Sequence, residues 1–279
     1  MNKSDKFPVK STDPKTWKPT KLVSLRSDVA PTTSAWKMLP RGILSESQGS
    51  IALADQAVVS GGNFLTMVIV GRVLTVENFG LFSLAMMSFL FMSNLHRAVF
   101  TQPMNIFGAA ESPQEQIGRL RVVLHSHLVA LPIASLILAV ASAVFFPDFL
   151  LLLALTAAFC CFALQETMRR FWYTRRDFAK ALENDLISYG GQVLVLVLLA
   201  WLKDLTATTA FIVLALTSLA AFMHGRFRRL EAPVRLVSTN WQAIIRQQRS
   251  ITMWLVLTVL AVWGAGPLYP FLMLPLGVA

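Results

Sequence analysis

The sequence predicts an all-α polytopic membrane protein: a six-helix transmembrane bundle followed by a seventh span, with the N-terminus on the cytoplasmic side. Three observations carry that expectation. Hydrophobic residues make up 55% of the 279 positions and charged residues only 14%, against about 25% charged in an ordinary soluble domain. Apolar runs of spanning length, about 20 residues for a hydrocarbon core of roughly 30 Å, follow one another along the chain. Lys and Arg gather at alternate ends of those runs.

The first 50 residues are hydrophilic and rich in Lys, Ser, Thr and Pro. They read as a disordered basic cytoplasmic tail, too long and too polar for a cleaved signal peptide. Apolar segments are then placed at 51–73, 80–104, 122–146, 148–168, 184–202 and 206–225, making a six-span unit over 51–225. Phe146-Pro147-Asp148 and Lys203-Asp204 read as tight turns that force antiparallel neighbours. Residues 226–250 read as a basic cytoplasmic linker whose second half, with Trp241, Ile244 and Ile245, suits an amphipathic helix on the membrane surface. The seventh span is placed at 251–276. Because no basic residue or polar tail follows it, 251–279 reads as the incomplete start of a further unit.

Orientation follows from the basic residues. The tail carries nine of them, from Lys3 to Arg41. Arg97, Arg119 and Arg121 fall between the second and third spans. Arg169, Arg170, Arg175, Arg176 and Lys180 lie between the fourth and fifth, and six arginines from Arg226 to Arg249 follow the sixth. Only Arg72 and Lys203 fall on the other side. That asymmetry places the N-terminus inside. The net charge of +10 is therefore read as a topology signal beside anionic lipid, not as a nucleic-acid surface.

Polar residues at membrane depth usually face the protein interior or a water-filled path. Four helical stripes stand out. In the first span Gln56, Ser60 and Asn63 follow Asp55 and flank Gly61-Gly62. In the second, Asn94, Arg97 and Thr101 precede Gln102-Pro103. In the fourth, Gln165, Glu166, Arg169 and Arg170 pair at helical spacing. In the fifth, Asp185, Ser188 and Gln192 lie beside Gly190-Gly191. Singly, each is most simply glue between helices; together they can line a cavity with a cationic cytoplasmic mouth. Asp55, Glu166 and Asp185 all look placed at span edges.

No phosphate loop, catalytic dyad or metal-ligand spacing occurs, and the short outer loops leave no room for a catalytic domain. The expectation is a non-enzyme without catalytic residues, metal or cofactor. Cys160 and Cys161 read as small apolar residues, and His96, His125, His127 and His224 as scattered near helix ends without partners.

Residues 55–85, with Ser-Gly-Gly-Asn-Phe in the first span and a short Val-Glu-Asn-Phe-Gly turn into the second, resemble the opening of polysaccharide flippases. So do Gln102-Pro103, the pattern Q-E-x-x-R-R-x-x-Y from Gln165 to Tyr173, and N-D-x-x-x-Y-x-x-Q from Asn184 to Gln192. These flippases belong to the multidrug/oligosaccharidyl-lipid/polysaccharide exporter superfamily. The resemblance covers about 51–279. It implies one lobe of a two-lobe exporter fold in the inner membrane, alternately opening a central cavity to each side. It also implies transport of a lipid-linked oligosaccharide in lipopolysaccharide, O-antigen or exopolysaccharide synthesis. Arg97, Arg169 and Arg170 would then hold a pyrophosphate, with Asn63, Gln102, Glu166, Asp185 and Gln192 as polar lining. The implied partners are the bilayer, the lipid-linked substrate, and a second lobe or a second copy of the chain; nucleic acid is not among them. The alternatives are a drug or cation antiporter of the same superfamily, which needs an acidic residue deep in a span, and a non-transporting scaffold or truncated product.

Overall fold

The computed structural model describes residues 46–143, 145–146, 148–229 and 241–266, and every regular element among them is helical. The 1–45 part of the basic tail, residues 230–240 of the linker and residues 267–279 of the seventh span lie outside the described residues. So does Pro147 of the first tight turn.

Helix α1 (Glu46–Val73) begins within the expected tail and ends at a two-residue connection, Leu74-Thr75. The Thr75 hydroxyl accepts from the Asn78 amide at 3.4 Å and caps α2 (Val76–Gly108). The Val-Glu-Asn-Phe-Gly segment is therefore the first turn of α2, not a loop. Ser112 and Glu115 form a reciprocal capping box, at 2.8 and 3.4 Å, and Pro113 takes the first helical position of α3 (Pro113–Ala143). Both helices outrun their expected spans, since at about 1.5 Å per residue 33 and 31 residues exceed the hydrocarbon core.

Asp148 caps α4 (Phe149–Thr174) by accepting from the Leu150 amide at 2.8 Å. Asp177 caps α5 (Phe178–Leu202) in the same manner, through the Lys180 amide at 3.4 Å. The α4–α5 and α5–α6 turns each place a non-glycine residue in the left-handed region, Arg176 at φ 58° and Lys203 at φ 63°. Helix α6 (Ala207–Arg229) completes the bundle.

These six helices are long and apolar enough to cross a membrane. Helix α7 (Trp241–Gly264) is not one of the six. It runs unbroken through position 250, where the sequence places the boundary between linker and seventh span.

Helices α4 and α6 are central: 44% of the apolar window of each is buried, against 22–28% in the other four. Small residues permit their approach: Ala154, Ala158 and Ala163 on α4 and Ala210, Ala215 and Ala221 on α6 are all buried. Leu128, Val129, Leu136 and Val140 of α3 and Leu194 and Trp201 of α5 point outward, as lipid-facing residues do. The end where α1 begins also holds the α2–α3 and α4–α5 turns; it is termed proximal here, and the other end distal. The distal half is a continuous apolar core around Phe82, Phe89, Phe159, Leu155, Leu196 and Phe211. A smaller apolar cluster, including Leu120, Met168, Phe171 and Trp172, closes the proximal end. Between them lies a polar layer.

Candidate functional site

Two π-helical turns shape that layer. In α2 the turn Arg97–Thr101 comes just before Pro103. Proline has no N–H and its ring crowds the carbonyl four residues back, so the ladder shifts there and the Gln102 amide reaches the Arg97 carbonyl. In α5 the turn Leu186–Gly190 gives way at Gly190-Gly191, and the Gly191 amide reaches the Leu186 carbonyl. Each turn widens a helix where it carries a polar stripe.

Arg169 is the centre of the layer. Its guanidinium donates to Asp55 on α1 at 3.1 Å, lies 3.5 Å from Glu166 on its own helix, and donates to Asp185 on α5. Tyr173 donates its hydroxyl to the same Asp55 oxygen, and its ring lies 5.3 Å from the Arg169 guanidinium. Glu166 accepts from Arg170 at 2.7 Å and faces Arg97 of α2 at 3.4 Å. Three guanidiniums therefore meet three carboxylates, a neutral set, which is the condition for keeping such charges out of water. Gln165 extends the set by donating to Asn184 at 2.8 Å and Asp185 at 3.1 Å, and Asn184 donates to the Ala221 carbonyl of α6.

Asp55, Glu166 and Asp185 lie roughly a third of the way into their helices from the proximal end. Laterally they are enclosed, at 0%, 1% and 0% exposure. That enclosure is not legible from the chain.

A cavity of about 520 Å³ opens beside this network, between α1, α2, α4 and α5. Met67, Met86, Met87 and Phe162 form an apolar wall, while Asn63, Arg97, Arg169, Ser188, Tyr189 and Gln192 line the cavity as polar groups. Gln192 donates to Thr66 at 2.9 Å, and Thr66 donates to the Gly62 carbonyl. Gly62 is required there, since a Cβ would stand 2.8 Å from that of Tyr189. Neither member of the Gly190-Gly191 pair meets a comparable contact.

Of the eight expected site residues, Asn63, Arg97, Arg169 and Gln192 line the cavity. Glu166, Arg170 and Asp185 stand behind it in the ion network. Gln102 takes part in the π-helical turn through its amide and is not on the cavity wall. Gln56 and Ser60 bond each other at 3.1 Å on an exposed face of α1. Asn184, Thr66 and Tyr173 are additions. Tyr173 and Asn184 stand in the two motif patterns, but their partners come from helices distant in sequence.

The histidines correct the sequence reading. His96 of α2 and His127 of α3 are buried with their Nε2 atoms 2.7 Å apart, and Thr167 of α4 lies 3.3 Å from His127. The Val123 carbonyl accepts from His127 Nδ1, which leaves His127 Nε2 to accept and His96 to donate. Among the described residues no group of three potential metal ligands converges. Cys160 is 2.9 Å from the Ser135 hydroxyl, and neither cysteine is in a disulfide.

Comparison of the chain with family models, curated proteins and solved structures finds no match.

Proposed function

We propose that this chain is a carrier rather than a catalyst, and that its cavity takes a phosphate-bearing lipid-linked oligosaccharide on its way across the inner membrane. The observation that carries this reading is the state of Arg97. Arg169 is engaged by three carboxylates and Arg170 by Glu166. Arg97 lines the cavity, is 35% exposed, and has only a 3.4 Å approach to Glu166, with its Nε lacking a hydrogen-bond partner. Of the three guanidiniums in the network, it is the one with an unpaired donor on the cavity side for a phosphate. The methionine wall suits a flexible apolar chain, because unbranched thioethers repack around irregular shapes. The resemblance in the motif segments adds the substrate class, the cytoplasmic N-terminus and the need for a second lobe.

The test is binding of a short prenyl diphosphate to purified protein, followed by tryptophan fluorescence. Arg97→Gln should weaken it about tenfold, the scale of one charge-assisted hydrogen bond, while the prenyl alcohol binds both proteins equally poorly. Equal binding of alcohol and diphosphate to the unmodified chain would sink the proposal.

A second reading has one observation in its favour. A cation-coupled antiporter needs an enclosed acidic residue, and Asp55 and Asp185 are enclosed. Proteoliposomes separate the two: a dye-efflux signal driven by an imposed proton or sodium gradient and lost in Asp55→Asn favours the antiporter.

A further inference from the structure

A second site lies on another face of α2. Two adjoining cavities of about 670 and 410 Å³ run between α2, α3 and α7, sharing Val99, Phe100, Ser126 and Ile245. They have no lining residue in common with the cavity beside Arg97. On α2 they use Met92, His96 and Val99, whereas the central cavity uses Met86, Leu90 and Arg97, a different side of the same helix.

The groove is polar at one end and apolar at the other. Gln248, Arg249 and Thr252 of α7 line its polar end. Val129, Ile133 and Ile137 of α3 line its apolar end. From Ser126 to Ile137 the groove follows α3 for about 16 Å at 1.5 Å per residue, close to half of a roughly 30 Å hydrocarbon core. That is the depth of one leaflet. Trp241, on the wall of the larger cavity, packs edge-on against His125 at 5.2 Å.

The polar end has donors without partners. The Gln248 Nε2 is buried with no hydrogen bond. Arg249 makes no ion pair with any described residue. Helix α7 contains Arg246 and Arg249 and no acidic residue. On α3, Glu115 is committed to its cap, while Arg119 is held by Glu111 and donates to Gln247 of α7 at 3.0 Å. An uncommitted arginine beside a free amide N–H, above a leaflet-deep apolar groove, is complementary to an anionic headgroup on a hydrocarbon tail.

We infer that the groove between α2, α3 and α7 binds one anionic phospholipid from the proximal leaflet, with its phosphate on Arg249 and Gln248 and one acyl chain along Val129, Ile133 and Ile137. The bound lipid fills the space between α7 and the six-span bundle. It fastens α7 to α2 beside the π-helical turn at Arg97–Thr101. This site is independent of what the central cavity carries.

Native mass spectrometry of the detergent-purified full chain tests the inference, with phosphatidylglycerol and phosphatidylcholine of matched acyl chains as probes. Unmodified protein should retain one phosphatidylglycerol at about tenfold lower lipid concentration than phosphatidylcholine, the scale of one charge-assisted bond. Arg249→Gln should abolish that preference, and Val129→Trp should weaken both lipids by obstructing the tail. Lys203→Gln, a basic residue at the opposite end, should leave the preference intact. Millimolar glycerol phosphate should not displace the lipid. Equal retention of the two lipids by unmodified protein overturns the inference even if the variants fail to fold. So does displacement by glycerol phosphate, or a Lys203→Gln effect matching that of Arg249→Gln.

Discussion

The distal and proximal halves of the bundle are built from the same helices by different chemistry. Distally, Phe82, Phe89, Phe159 and Phe211 interlock with leucines and alanines. Phe82 and Phe211 are tilted at 5.5 Å, and Phe89 meets Phe162 edge-on at 5.1 Å. Proximally, Arg169 joins α1, α4 and α5 through charged groups, and several buried oxygens, among them Asp55 Oδ1 and Glu166 Oε2, have no hydrogen bond. An apolar core holds by summed shape and tolerates small losses. A buried ion network holds while it is complete, because removing one member strands the others. A protein that needed only stability could have used the distal solution at both ends. The proximal layer is thus where function is to be sought, and it adjoins the 520 Å³ cavity.

The largest effect expected is at the hub of the network. Arg169→Met leaves three enclosed carboxylates short of a partner and should cost about 3–5 kcal/mol, read as a large downward shift of the unfolding transition in detergent. Adding Asp55→Asn and Asp185→Asn to that variant should recover most of the loss. No recovery would mean that the network is not held by its charges.

The distal half should respond more mildly. Gly62→Ala, on α1 between the two halves, should cost about 1–3 kcal/mol through overpacking against Tyr189, while its neighbour Gly61→Ala meets nothing within 4 Å and should be neutral or slightly stabilising. Phe82→Leu should cost about 1–2 kcal/mol by a small core deletion. Combined with Arg169→Met, its cost should add if the halves are independent. A shortfall in the sum, measured by the same melts, would show them coupled.

The smallest effect compares the two ends directly. Arg176 and Lys203 hold the same left-handed conformation in turns at opposite ends. Arg176→Gly and Lys203→Gly should each stabilise by about 0.5 kcal/mol, since glycine has no Cβ to strain there. If only the Lys203 change does so, Arg176 contributes a charge interaction that the glycine loses.

The chain by itself marked six apolar helices of spanning length, though it also placed a seventh span over 251–276 that is not among the six, and it marked the polar stripes at Asp55, Arg97, Glu166–Arg170 and Asp185–Gln192. Hydropathy and helical periodicity are local properties, so they survive without knowledge of neighbours. Helix starts were less legible, because capping by Thr75 and Ser112 carries helices beyond their apolar runs. What only the tertiary structure decided is which stripe meets which. His96 and His127 lie 31 positions apart, and Asp55 and Arg169 lie 114 apart. Nothing periodic relates such pairs. Their meeting depends on the rotation of each helix in the bundle, which only the packing of all the helices together sets.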